Sequence, residues 1–166
     1  MPMYIPTLND LTDDQWEVQD LPISGNYLIT GGPGSGKTSI AIRRTEFIKK
    51  DNPEAKVQTF LFTNTLKDFF SDSIKQVELE EKDEKERVKI KSNINVWAKW
   101  QVAFLKQHND WPYAIGERVP GEVWPTLSGK ILGHNLDSII GHLIIDEAQD
   151  FTETDLEVMS LIADDI

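Results

Sequence analysis

The run Gly31-Gly32-Pro33-Gly34-Ser35-Gly36-Lys37-Thr38 constrains this chain more than any other segment. It satisfies the pattern G-x-x-x-x-G-K-S/T in full, and that pattern works as a turn between a strand and a helix. A loop that wraps a polyanion needs dihedrals that side chains forbid. Gly31, Gly34 and Gly36 supply them, and Pro33 stiffens the turn. The N–H groups that open the following helix then face the anion. The flanks agree. Tyr27-Leu28-Ile29-Thr30 is a short strand-like run, and Ser39 to Lys50 has helical spacing, with Ile40, Ala41, Phe47 and Ile48 apolar and Arg43, Arg44, Lys49 and Lys50 polar. The fold class expected is α/β, a parallel sheet flanked by helices.

Far downstream, Leu143-Ile144-Ile145-Asp146-Glu147-Ala148-Gln149-Asp150 is an apolar run ending in paired carboxylates. His142 to Ile145 reads as a buried parallel strand with Asp146 at its C-terminal end, where open α/β sheets place ligands. Lys37 can reach the β- and γ-phosphates of a nucleoside triphosphate as a point charge. The Thr38 hydroxyl suits Mg²⁺, which takes hard oxygens and keeps several waters. Asp146 would hold that metal through water, and Glu147 would orient or deprotonate an attacking water. A lone Asp-Glu pair after a strand would instead be a helix cap with a dipole partner. The phosphate loop changes that balance.

The 166 residues are enough for one domain with a real core. There is no cysteine, so disulfides and thiolate metal sites are excluded, which fits a reducing, cytoplasmic setting. No apolar run is long enough to span a membrane, and Met1-Pro2-Met3-Tyr4 lacks a basic signal-type start. The net charge of −11 argues at first against nucleic acid. The acidity is local, however. Ile131 to Ile166 has nine acids and no Lys or Arg, while the preceding residues are nearly balanced, so a basic groove elsewhere stays open.

Residues 7–20 read as a capped helix, with Thr12 as N-cap and Gln15 completing a capping box. Val57 to Thr63 reads as a strand, Leu66 to Val77 as a helix, and Glu78 to Lys91 as an exposed charged segment, partly helical. A short strand over Ile90 to Trp97 and a helix over Trp97 to His108 follow, the latter with Trp97, Trp100, Phe104 and Leu105 on one face. Residues 109–135, rich in Pro and Gly, read as loop, and Leu127-Ser128-Gly129-Lys130 as a turn. Asp155 to Ala163 reads as a last helix. The aromatic residues Tyr4, Trp16, Trp97, Trp100, Trp111 and Trp124 read as core or interdomain packing rather than stacking platforms. His108, His134 and His142 lack metal-ligand spacing.

Taken together, the motifs make the chain resemble the N-terminal motor domain (1A) of superfamily 1 DNA helicases of the UvrD/Rep/PcrA type. Leu11-Thr12-Asp13-Asp14-Gln15 is similar to that family's Q motif, ahead of the phosphate loop. Thr59-Phe60-Leu61-Phe62-Thr63-Asn64 resembles motif Ia, Ser92 to Trp97 weakly resembles motif Ib, and Asp146-Glu147-Ala148-Gln149-Asp150 matches the family's motif II. The resemblance implies a RecA-like P-loop NTPase domain over residues 1–166, incomplete at the C-terminus, with 78–135 as a reduced accessory (1B-like) insertion. It implies ATP and Mg²⁺ as cofactors. Gly31, Gly32, Pro33, Gly34, Ser35, Gly36, Lys37, Thr38 and Ser39 would form the phosphate cradle, Gln15 would contact the adenine edge, and Thr38 and Asp146 would serve the metal. Lys37, Asp146, Glu147 and Gln149 would be catalytic, Gln149 as the γ-phosphate sensor. Phe62, Thr63 and Asn64 would touch single-stranded DNA, Phe62 by stacking; ordinary core packing is the competing reading for Phe62.

The resemblance ends about one helix past motif II. It covers neither motifs III to VI nor the second motor domain, which in this family supplies transition-state arginines and would come from a longer chain or a partner protein. In the family, the motif III strand lies between the phosphate-loop strand and the motif II strand, so a gap or a different closure of the sheet is expected here. Arg43, Arg44, Arg87 and Arg118 are the only arginines, and none is in a recognisable finger motif. The expectation is a helicase or translocase half-motor that binds Mg-ATP and hydrolyses it weakly on its own. An ATP-dependent switch module without motor activity is the alternative. A small-molecule P-loop kinase is disfavoured by the Asp-Glu-Ala-Gln-Asp pentapeptide.

Overall fold

The computed structural model describes residues 5–80, 93–113, 124–136 and 139–166. A single 3₁₀ turn, Leu8–Asp10, leads into α1 (Asp13–Gln19). Then come α2 (Lys37–Asp51), β1 (Val57–Leu61), α3 (Asn64–Glu80), β2 (Asn93–Val96), α4 (Trp97–Gln107), α5 (Trp124–Ile131), β3 (Ile140–Ile145), α6 (Glu153–Ile162) and β4 (Ala163–Asp165). The four strands form one parallel sheet in the order β2-β1-β3-β4. Among the described residues, no helix is long and apolar enough to cross a membrane.

The sheet is covered on both faces because its central strands β1 and β3 send apolar residues to both, as parallel strands between helices do. β1 is buried along its whole length. Leu61 packs with Ile42 of α2 and with Phe70 and Ile74 of α3. Phe60 and Leu143 turn to the other face, into a core shared with α4, α5 and α6. Side chains alternate across a strand, so neighbours in sequence feed opposite layers. β2 is the edge strand beside β1, and Leu105, Leu127 and Ile131 belong to the same core as Phe60.

Three local readings are corrected by this structure. Tyr27 to Thr30 is not a strand: it joins no ladder of the sheet, and Tyr27 N donates to Ile166 O at 2.8 Å. Its neighbour β4 is only three residues long, so there is little backbone to pair with. The Pro- and Gly-rich region 109–135 is not all loop, because it contains α5, and Leu127-Ser128-Gly129-Lys130 is helical rather than a turn. A proline in a first helical turn removes an N–H that has no intrahelical partner anyway. Leu127 and Ile131, four apart, are both fully buried. The last helix ends at Ile162, and Ala163 to Asp165 is a strand. Residues 81–91 of the charged segment, Tyr4, Arg87 and Arg118 lie outside the described residues.

A buried polar cluster ties the second layer together. Asp155 Oδ1 accepts from Trp97 Nε1 at 2.7 Å, from Ser128 Oγ at 2.5 Å and from Gln101 Nε2 at 3.4 Å. Its other oxygen closes the capping box of α6, accepting from Thr152 N and Thr152 Oγ1. One carboxylate therefore joins α4, α5 and α6, with its lone pairs satisfied as a buried acceptor requires.

Candidate nucleotide-phosphate site

Gly36 is the N-cap of α2 in the left-handed region (φ +86°), and Gly34 is also left-handed (φ +77°). Two such turns within three residues fold the loop back over the start of α2, and glycine adopts them without a Cβ penalty. Lys37 is the first residue of the helix. Its Nζ donates to Gly31 O at 2.8 Å and Gly32 O at 3.1 Å, so the ammonium bridges the loop that it would share with a phosphate. Ser35 N donates to Gly32 O, closing the turn. A Cβ on Gly32 or Gly34 would meet nothing within 4 Å, so the loop is open on that side.

α1 is braced against this loop. Thr12 and Gln15 form the capping box expected from sequence, with Thr12 N donating to Gln15 Oε1 at 3.1 Å. Gln15 Nε2 donates to Ser35 O at 3.0 Å. The amide placed by sequence at an adenine edge is thus engaged with the loop backbone. Arg44, one turn of α2 past Ile40, donates to Gln19 O at 3.1 Å, to Leu21 O at 2.6 Å and also to Pro22 O. It clamps the end of α1 onto α2, and its burial lowers its pKa from the ordinary guanidinium value. Ile40, Arg44 and Ile48 share one helix face by their spacing of four, a signal legible in the sequence but not used for a site. Arg43 is buried as well and bonds Pro6 O and Glu46.

The second half of the site comes from the C-terminal end of β3. Thr38 Oγ1 donates to Asp146 Oδ2 at 2.9 Å, a contact between residues 108 apart in sequence. Asp146 is 5% exposed. Burial raises its carboxyl above the ordinary value, the Thr38 hydrogen bond opposes that shift, and the charge of Glu147 adds to it. A threonine hydroxyl and a carboxylate oxygen side by side are two hard oxygens of the sort Mg²⁺ accepts, so the residues present fit that ion. Glu147 has a left-handed backbone (φ +56°), and Gln149 Nε2 donates to its Oε2 at 2.5 Å. Gln149 lies in a 3₁₀ turn over Ala148–Asp150.

Between the phosphate loop and β3 lies a cavity of about 870 Å³ whose walls include Leu28, Gly31, Lys37, Ile145, Asp146 and Gln149. Phe62, Thr63 and Asn64 follow β1 at the same end of the sheet. Phe62 is 49% exposed and meets Phe151 edge-on at 5.6 Å, so it is not ordinary core. Thr63 Oγ1 accepts from Leu66 N, and Asn64 opens α3. The aromatic row Trp97, Trp100 and Phe104 stacks along α4 at 5.1 Å spacings, packed on Phe60. No cluster of three His, Asp or Glu suited to a metal ion occurs among the described residues. No protein-family model, curated protein or solved structure matches this chain.

Proposed function

We propose that this chain is a RecA-like, ATP-binding motor half of the superfamily 1 helicase or translocase kind, acting in the cytoplasm on single-stranded DNA together with a second motor domain. The observation that carries the reading is the Thr38–Asp146 hydrogen bond. It joins the hydroxyl of the glycine loop to the carboxylate of the apolar strand, and these are the two groups a triphosphate-bound Mg²⁺ would need. When bound, that ion would offset the charge of the phosphates.

The residues divide the work as follows. The N–H groups that open α2 and the Lys37 ammonium hold the phosphates. Thr38 and Asp146 would hold the metal, which would offset phosphate charge. Glu147 orients the attacking water and takes its proton, and Gln149, hydrogen-bonded to Glu147, relays the state of the γ-phosphate. Phe62, exposed at the same sheet end, offers a ring for a base to stack on. Arg43 and Arg44 are both engaged with backbone carbonyls of the segment before α2, so hydrolysis by this chain alone should be feeble. That engagement equally favours a second reading, an ATP-dependent switch.

The test is a titration with a fluorescent ATP analogue and Mg²⁺, beside Lys37→Ala, with folding checked by circular dichroism. Saturable binding that weakens about a hundredfold or more in Lys37→Ala is expected, since charge-assisted hydrogen bonds are lost. Equal binding by both proteins, or none by a folded chain, would overturn the nucleotide reading. Brisk DNA-stimulated turnover by this chain alone would overturn the expectation of feeble hydrolysis.

A further inference from the structure

A second cavity, of about 340 Å³, lies at the end of the sheet opposite the phosphate loop. It sits where β1, β2 and β3 begin, at Gln58, Asn93 and Ile140. Lys49, in the last turn of α2, forms part of its wall. This lysine is 4% exposed. Its ammonium donates to Pro53 O at 2.9 Å and to Ala55 O at 2.6 Å. Both partners are neutral carbonyls. Among the described residues no carboxylate lies within 4 Å of that ammonium. Arg43, also buried on α2, shows the contrast, because it pairs with Glu46 at 3.0 Å.

An ammonium carries three N–H donors and a full charge. The two carbonyls use two of the donors. The dipole at the C-terminal end of α2 offsets only part of the charge. A charge taken out of water is ordinarily met by an opposite charge. One N–H and most of a positive charge are therefore left at the wall of a cavity.

We propose that this cavity binds a small aliphatic monocarboxylate, with its carboxylate on the Lys49 ammonium and its stem on the apolar wall. The charges of the lining set the ligand's charge. Two lysines, Lys49 and Lys56, stand against one glutamate, Glu54, so a single negative charge is balanced and a phosphate dianion is not. Asn93 adds a neutral donor, since its side-chain amide makes no hydrogen bond among the described residues. The stem follows from Pro53, Ile139 and Ile140, which line the same space. Ile139 is 42% exposed, and a stem of a few carbons would cover it. The cavity is at the low end of the range for small-ligand sites, which suits an acid of about four carbons. Lys37, Thr38 and Asp146 are at the other end of the sheet, and the test uses no nucleotide.

The full chain is titrated with sodium butyrate, with butyramide and with sodium chloride, and followed by amide nitrogen–proton spectra and by Tm. Butyramide has the shape of butyrate without its charge. With butyrate only, the amides of Ala55, Lys56 and Asn93 should shift saturably, with half-saturation at about 10 mM or below. At ten times that concentration Tm should rise by about 3 °C. Lys49→Met should weaken butyrate binding about tenfold or more, and Asn93→Ala should weaken it about threefold. The butyrate–butyramide comparison stands on the unaltered protein, so it decides the matter even if Lys49→Met does not fold. No saturable shift with butyrate, an equal response to butyramide or chloride, or undiminished binding by a folded Lys49→Met would overturn the proposal and leave Lys49 as a residue that only closes the turn between α2 and β1. A response to inorganic phosphate as strong as that to butyrate would overturn the assignment of a monocarboxylate.

Discussion

Gln15 Nε2 donates to Ser35 O at 3.0 Å while Gln15 Oε1 accepts from Thr12 N at 3.1 Å, so one side-chain amide fastens the phosphate loop to the first turn of α1. Replacing Gln15 by Ala removes both contacts. The cap alone is worth about 1 kcal/mol. We expect Gln15→Ala to lower stability by about that amount and, through the loop that the amide fastens, to weaken ATP and GTP binding by the same factor. Parallel titrations with the two nucleotides check this. A loss confined to ATP would place Gln15 at the adenine instead.

Gly36 faces the same amide. A Cβ there would lie 2.5 Å from Gln15 Nε2, and the backbone is left-handed. Gly36→Ala should therefore cost about 1–2 kcal/mol from the backbone alone, plus displacement of Gln15. The double variant Gln15→Ala with Gly36→Ala should recover the steric part and keep the backbone part. Urea unfolding of the four proteins yields the coupling, and strict additivity would show that the two residues do not interfere.

Asp146 should make stability depend on pH. Burial is the main cause of its raised carboxyl pKa. From the ordinary value of 3.8 upward, the folded chain then holds this proton more tightly than the unfolded chain. The associated stabilisation is present below 3.8 and is lost as pH rises through the raised value. Asp146→Asn should accordingly raise Tm near neutral pH and bring little change in strong acid. Thermal scans across the acid range test the sign, and a variant less stable at neutral pH would contradict it. The same substitution should abolish the Mg²⁺ dependence of nucleotide binding.

Asp155 anchors Trp97, Gln101 and Ser128 and also caps α6. Asp155→Ala would leave the buried Trp97 Nε1 and Ser128 hydroxyl without their acceptor, while Gln101 keeps its bond to Ser128 Oγ, for a loss of about 3 kcal/mol or more. Denaturant unfolding measures it. A change under about 1 kcal/mol would mean that the layer repacks without its carboxylate.

Much of this layout was legible in the residues. The Thr12–Gln15 box, the strand cores of β1 and β3 and the amphipathic α4 follow from local chemistry that acts within a few residues. What escaped depends on neighbours. Tyr27 to Thr30 has the apolar run of a strand, but a strand exists only where another backbone pairs with it. Ala163-Asp164-Asp165 has the reverse problem: acids are poor strand formers. These residues form β4 because β3 pairs with them and because Gly25 N donates to Asp165 Oδ1. α5 was hidden by the Pro and Gly around it, although the spacing of Leu127 and Ile131 was there to be read. At the site, the glycine loop and the carboxylate pair could each be named from sequence, while the contact of Thr38 with Asp146 could not. The bracing by Gln15 and Arg44 likewise depends on tertiary approach.

Glu147 sits in a backbone region that costs an L-residue about 1 kcal/mol or more and costs glycine almost nothing. Its side chain is half in solvent and meets only Gln149 among the polar contacts described above, so folding gains little in return. A chain selected for stability alone would drift to glycine at this position, and Glu147→Gly should be the more durable protein.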